Sequence, residues 1–430
     1  MGKSFLAIAM IFCVLSINAQ QVPQNNNTNS NNVLFNNTYQ GNSESTEEEE
    51  VLDSVTIQND LQIKSTKKAA TRSIEKERSY KLESAPVRAT EESTSAEPSS
   101  ASTAVTANSA VSTYKFQQAS SEFVSSREMA TQQRVQRSPS PIQQSEMDEA
   151  VGYFETNAPN SFEHHYFKYV SGNYDVSLIS HLREAEKMRP NNADVHVQLA
   201  SYNMIKRNKD SAEIYVKSLM SSGRLEKSVL YYGVDLLESV PKNGVLITHG
   251  FDDTFAAWKK QTMDGVRKDV TLVSLDFLQS AHYRKLLEED GFKLPVGTMI
   301  NVDYLRDFCR LNALKSLSIS MTTPKEYFKP IQSKLYVTGL VFEYHENDFN
   351  NFERNDELWN SGLSKHLILN ASDEKGKQLS ANYLPMILQL RKVYGQTEEK
   401  EKLKDVDDAA DKVGLQCKKY EQVQKLKKSY

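Results

Sequence analysis

The chain has 430 residues with 16 glycines and 12 prolines, both roughly half of ordinary globular usage, which disfavours a strand-and-turn-rich barrel or sandwich. Lys+Arg of 52 against Asp+Glu of 56 leaves a net charge of -4, so no global basic field draws the chain to nucleic acid. A hydrophobic content of 39% is low for one packed body and is unevenly spread, which predicts a disordered stretch joined to a normally composed core.

The chain opens with Lys3, an apolar run from Phe5 to Ile17, and Asn18-Ala19-Gln20. A basic start, an apolar stretch too short for a comfortable span and small residues near Ala19 predict a secretory signal over residues 1–20, cleaved near Ala19. An uncleaved anchor is the alternative; a lipoprotein reading fails because Cys13 lies mid-run between Phe12 and Val14. No later segment reaches about 18 consecutive apolar residues, so no membrane-spanning helix is expected in the mature chain. Export would leave Cys309 and Cys417 in an oxidising compartment, where they pair or stay as free thiols. Without a CxxC spacing no zinc site follows from the cysteines.

Residues 21–146 read as a disordered polar region. NNNTNSNNVLFNNT, ESTEEEE and STSAEPSSASTAVTANSAVST carry too little apolar area to offset backbone ordering, which costs about 1–2 kcal/mol per residue. Asn26-Asn27-Thr28 and Asn36-Asn37-Thr38 fit the N-glycosylation pattern. Two apolar islands, Val51 to Ile57 and Tyr114 to Phe123, are candidates for docking on a partner.

From about Met147 aromatic and aliphatic residues become periodic, placing the domain boundary between Ser138 and Asp148. Leu178, Leu182 and Ala185 share a helix face, and Arg189-Pro190-Asn191-Asn192 stops that helix. A second helix carries Val195, Leu199 and Tyr202; after a turn at Asn208-Lys209-Asp210 a third carries Ala212, Tyr215, Val216 and Leu219. Small alanines at close-approach positions, with the proline stop, make this segment, 147–240, resemble a tetratricopeptide repeat.

Over 241–345 the texture becomes α/β. Val245 to Thr248 is a short apolar strand, Asp252-Asp253-Thr254 supply N-cap side chains to a helix with Phe255 and Trp258, and Val270 to Leu275 is a second strand covered on both faces. The helix after it holds Tyr283 and Leu287. Strand, helix, strand, helix implies parallel pairing. Residues 346–430 read as a closing helical segment in which Trp359 is a core tryptophan or a groove anchor, and the mixed-charge tail is a solvated helix. The fold class is therefore α/β with helical repeats: a small three-layer parallel βαβ core flanked by repeat-like helices, after a long disordered region.

Gly250, Asp253, Thr254, Phe255, Trp258, Gly265, Arg267, Asp269 and Val270 form a pattern of strand, turn, helix and second strand. In it the chain resembles the soluble C-terminal region of a Bacteroidota family of large polytopic, protein O-mannosyltransferase-like membrane proteins. The likeness continues more loosely through 329–345 and 379–395, over about 230 residues. It implies a shared module, with no reaction attached.

His249, Asp252, Asp253, Asp276 and His282 cluster near the predicted strand C-termini, the edge where open α/β sheets bind ligands. Carboxylates there act as acid and base or hold a cation. The structural alternative has Asp252 or Asp253 capping a helix, Asp269 paired with Arg267, and both histidines on the surface. No phosphate loop, nucleophile elbow or His-Glu-x-x-His is present. His164-His165 is a poor metal clamp because adjacent helical side chains diverge. No metal or cofactor is expected. The leading expectation is a non-catalytic scaffold of the periplasm or cell envelope whose partners are other envelope proteins, with peripheral outer-membrane association among its modes. The alternative is an envelope enzyme or ligand-binding domain acting on glycans.

Overall fold

A computed structural model describes residues 101–429. The expected signal segment, the two asparagine-threonine sites, Cys13 and the island Val51 to Ile57 lie outside the described residues. From Asn108 onward the described chain belongs to one compact unit.

Packing begins earlier than the composition suggests. Helix α1 (Ala101–Gln132) precedes α2 (Pro141–Asn157), which Ser140 opens with a capping box to Gln143. Phe123, only 2% exposed, stacks on Phe167 at 4.0 Å, and Phe116 meets Phe154 edge-on at 5.0 Å. The island Tyr114 to Phe123, assigned to the polar arm, thus docks as a helix on its own chain. The physical reason is an i, i+7 aromatic pair, Phe116 and Phe123, that returns to one helix face in an otherwise Ser/Ala-rich stretch.

Short helices follow: α3 (Phe162–Ser171), α4 (Ile179–Met188), α5 (Ala193–Ile205), α6 (Lys209–Ser221) and α7 (Lys227–Glu238). The expected stops hold. Asn192 caps α5 by accepting from the Val195 amide at 3.0 Å, and Asn208 caps α6 by accepting from Ser211 at 3.4 Å. Leu182, Ala185, Val195, Leu199, Ala212, Val216 and Leu219 are fully buried, so the helical spacing identified the inward face.

The α/β part contains β1 (Val245–Thr248), α8 (Gly250–Thr262), β2 (Thr271–Ser274), α9 (Ala281–Glu289), α10 (Val302–Leu311), β3 (Leu317–Ser320), the short α11 (Lys325–Phe328), β4 (Leu335–Thr338) and β5 (Val341–Tyr344). Strand order is β2-β1-β3-β5-β4. β1 pairs in parallel with β2 and β3, as the βαβ reading requires, and β5 runs antiparallel to both β3 and β4. The sheet is therefore mixed: a parallel core extended by a hairpin. Every residue of β1, β3 and β5 is buried, as expected of strands covered on both faces. β2 departs from that expectation, because it is an edge strand whose Thr271 is exposed.

Six helices close the chain: α12 (Phe352–Glu357), α13 (His366–Asn370), α14 (Glu374–Ser380), α15 (Leu384–Gln396), α16 (Lys400–Gln416) and α17 (Tyr420–Ser429). They are tied to α7 by buried Asp235, which accepts from the Ser364 amide (2.7 Å), the Lys365 amide (3.0 Å) and Tyr383 Oη (2.6 Å). Trp359 is a core residue, 2% exposed, and donates to Asp405 at 2.7 Å. Cys309 and Cys417 are both free, so the disulfide alternative falls. The charged tail is solvated on one face only, since α16 buries Val406, Ala409, Ala410 and Val413. Among the described residues no helix is long and apolar enough to cross a membrane.

Candidate functional site

The chain runs from β1 to β2 on one side and then crosses to β3 on the other side of β1. The C-terminal ends of β1 and β3 thus flank a topological reversal, where open α/β sheets form their ligand crevice. His249 follows β1 as the N-cap of α8, and Gly250 takes φ +74°, a conformation that a side chain would strain. This turn places Asp252 and Asp253 inside the first turn of α8, not at its cap, and neither His249 nor the aspartates caps the helix through a side chain. Their negative charge still suits a helix N-terminus.

The three aspartates point to three different partners. Asp276, just beyond β2, receives Nε and Nη2 of Arg137 at 2.9 and 2.6 Å and the Gly250 amide at 2.7 Å. Burial alone would raise its carboxyl, but the Arg137 charge and these hydrogen bonds hold it below the ordinary carboxylate value. Asp252 leaves the sheet edge and pairs with Lys375 of α14 at 3.0 Å. Asp253 turns inward, 1% exposed, and accepts a short hydrogen bond from Thr322 Oγ1, whose residue follows β3. Burial pushes the Asp253 carboxyl up to about 7, against the opposing hydrogen bonds from Ser320 and Thr322.

His249 is buried, and neither ring nitrogen has a partner among the described residues. Burial and the nearby Arg137 charge push it down to about 3, so its imidazole is neutral at physiological pH. The expectation of a surface histidine is corrected here: the turn after β1 buries this ring within reach of the Arg137 and Asp276 charges. His282 is half-buried on α9 beside Lys206 and Lys285, and burial followed by those charges lowers it. No hydrogen bond joins it to the aspartates. Of the five expected site residues, the fold brings together His249 and Asp276, turns the Asp253 carboxylate towards Thr322 beyond β3, and sends Asp252 and His282 elsewhere. Asp269 pairs with Arg267 at 2.9 Å, as the structural alternative held.

Arg137 is the residue that sequence reasoning missed. It lies on residues 133–139, a strap between α1 and α2 that crosses the sheet edge. Gln136 bridges Asn301 in antiparallel fashion, the Arg137 amide donates to Ile300 at 2.6 Å, and Val302 donates to Val135 at 3.0 Å. Arg134 adds an ion pair with Glu326 at 3.2 Å. The strap delivers the Arg137 guanidinium, its side chain 9% exposed, onto Asp276. Nothing in the polar tract marks this arginine. Thr322 had a weak signal, as the first hydroxyl after a buried strand. Asp235 had a stronger one, as the lone carboxylate within the run YYGVDLL.

At the opposite, N-terminal edge of β1 and β2 opens a groove of about 550 Å³ lined by Lys242, Asn243, Asp290 and Lys315. It contains none of the expected site residues.

The decisive comparison falls on the β1–α8–β2–α9 passage. Residues 230–293 match the TMEM260-associated domain 2 family. The match runs from within α7 to just past α9, so it covers the strand-turn-helix pattern around Gly250, Asp253 and Trp258. It fits, coarsely, the likeness to O-mannosyltransferase-like membrane proteins. Comparison with curated proteins and with solved structures finds no match.

Proposed function

We propose that this chain is a non-catalytic interaction protein of the cell envelope, an accessory subunit of an envelope or secretion assembly. The observation that carries the reading is the divergence of the three carboxylates. Asp276 is bound to Arg137 and Gly250, Asp252 to Lys375, and Asp253 to Thr322, so no pair of free carboxylates faces a common pocket. The paired-carboxylate form of acid–base chemistry would need two such groups facing one substrate. The helix pairs α3–α4 and α5–α6, read as tetratricopeptide-like, supply surfaces of the kind repeat proteins use for partners. The N-terminal segment read as a secretory signal supports export to the periplasm, and the resemblance carried by Gly250, Asp253 and Trp258 supports a Bacteroidota origin.

The test is fractionation of the source organism after mild crosslinking, with the chain followed by an internal epitope. The reading expects the chain in the envelope fraction within a complex larger than the monomer. Recovery only as cytosolic monomer overturns it.

A second reading, a ligand-binding or glycan-acting domain, is favoured by one observation. Asp253 Oδ1, both His249 nitrogens, Thr323 Oγ1 and Tyr327 Oη are buried near the strand ends without partners. Unpaired buried polar groups at a sheet reversal are what a polar ligand satisfies. Saturable binding of an oligosaccharide, lost in Asp253→Asn, would establish this reading in place of the first.

A further inference from the structure

The His164-His165 pair changes meaning once the helices are placed. Both sit in the first turn of α3, whose N-cap Ser161 accepts from the His164 amide at 3.1 Å. Side chains at adjacent helical positions diverge, which argued against a clamp. The next helix supplies what the pair lacks. His181, on α4, packs against both rings, with centroids 5.4 Å from His164 and 5.2 Å from His165. One nitrogen from each of the three rings lies within 4.8 Å of the others.

The tautomers follow from the partners. His164 Nδ1 lies 2.5 Å from the Pro159 carbonyl oxygen. A carbonyl only accepts, so Nδ1 carries the proton and Nε2 is left with its lone pair. That Nε2 is buried, in a residue 6% exposed, and has no hydrogen-bond partner. A ring held through one nitrogen by a backbone carbonyl, with the other nitrogen bare, is the outer-shell arrangement that orients metal-bound histidines. His165 Nδ1 and His181 Nδ1 face each other at 3.0 Å and share a single proton between them. Two nitrogens bound at about 2.0–2.1 Å to one ion lie about 3 Å apart when they subtend a right angle, and slightly farther at the tetrahedral angle.

We propose that His164, His165 and His181 form a binding site for a late first-row divalent cation, Zn²⁺ foremost, that cross-links helices α3 and α4. Three neutral imidazoles suit such ions, and they leave at least one coordination position for water. On binding, the ring of the His165–His181 pair that carries its proton on Nδ1 passes it through solvent to its own Nε2, and the ion takes the two freed Nδ1 lone pairs together with the Nε2 lone pair of His164. Glu184 near His165 and Glu155 near His181 offset part of the added positive charge.

Titration calorimetry of the untagged full-length protein with ZnCl₂ tests the site, and CoCl₂ provides a visible absorption signature of imidazole ligation. One equivalent should bind and raise the melting temperature. His181→Ala should weaken binding by more than about 100-fold, beyond the loss typical of outer-shell changes. His196→Ala, at a buried histidine engaged by Ser218 Oγ at 2.8 Å, should leave it unchanged. If His181→Ala fails to fold, the half-buried His165→Gln carries the comparison. No binding at tenfold excess of Zn²⁺, or binding undiminished in His165→Gln and His181→Ala, overturns the site.

Discussion

At the scale of single residues, the sheet edge holds two titratable groups displaced in opposite senses. Asp253 is pushed from 3.8 up to about 7, so across that window the folded chain keeps a proton that the unfolded chain has released. Stability contributed by this group therefore falls as pH rises from about 4 to 7. His249 is pushed from 6.5 down to about 3, so over that range the unfolded chain binds the extra proton and stability rises with pH. Between about pH 4 and 6.5 the two slopes oppose each other, each of about 1.4 kcal/mol per pH unit at most. Single replacements expose them. Asp253→Asn should gain stability relative to the parent as pH climbs from 4 to 8. His249→Phe, which also removes two unpartnered nitrogens, should show an advantage that grows as pH falls from 6.5 towards 3. Chemical denaturation across a pH series measures both, and parallel curves for parent and variants would refute the assignment. Arg137 makes a sharper case: Arg137→Ala leaves Asp276 charged and buried, and should destabilise by about 3–5 kcal/mol. Adding Asp276→Asn should restore part of that loss in a double-mutant cycle.

At the scale of elements, legibility followed apolar pattern. The β1–α8–β2–α9 unit was readable because Val245 to Thr248 and Val270 to Leu275 are runs rich in β-branched residues and leucine, separated by a helix with its own periodic face. The stops at Asn192 and Asn208 were readable because they act through local side-chain bonds. What stayed hidden depends on distant partners. The β4–β5 hairpin turns at Gly339, at φ +56°, where a Cβ would lie 2.2 Å from Ser239 Oγ, a contact that no local pattern announces. Helix α1 looked like arm because its two large packing residues, Phe116 and Phe123, stand among small buried ones such as Ala119 and Ala130. Phe123→Ala should cost about 3–5 kcal/mol, the range for a buried phenylalanine, and thermal melts of the full chain would show it. A change below about 1 kcal/mol would mean that α1 contributes little to the fold. The candidate site was half legible for the same reason. The positions beyond strand ends could be named, but their partners Arg137, Thr322 and Lys375 lie 139, 69 and 123 residues away, and sequence periodicity carries no such pairing.

At the scale of the whole molecule, the described chain is a helical layer, a five-stranded mixed sheet and a closing set of helices joined through buried polar ties. Asp235 fastens α7 to the closing helices, and the strap at residues 133–139 fastens the start of the described region to the sheet edge. Packing of this kind makes the N-terminal boundary measurable. A chain beginning at Ser112 should melt at a clearly higher temperature than one beginning at Ser140, which lacks both Phe123 and Arg137; equal melting temperatures would place the boundary later. The same ties are why the aspartates read as structural members of an interaction protein. The most direct measurement is the amount of crosslinked envelope complex recovered with the parent chain and with a well-folded Asp252→Ala/Asp253→Asn chain. Recovery equal to the parent is the predicted result. Loss of the complex, or of a measurable turnover, with folding intact would contradict it.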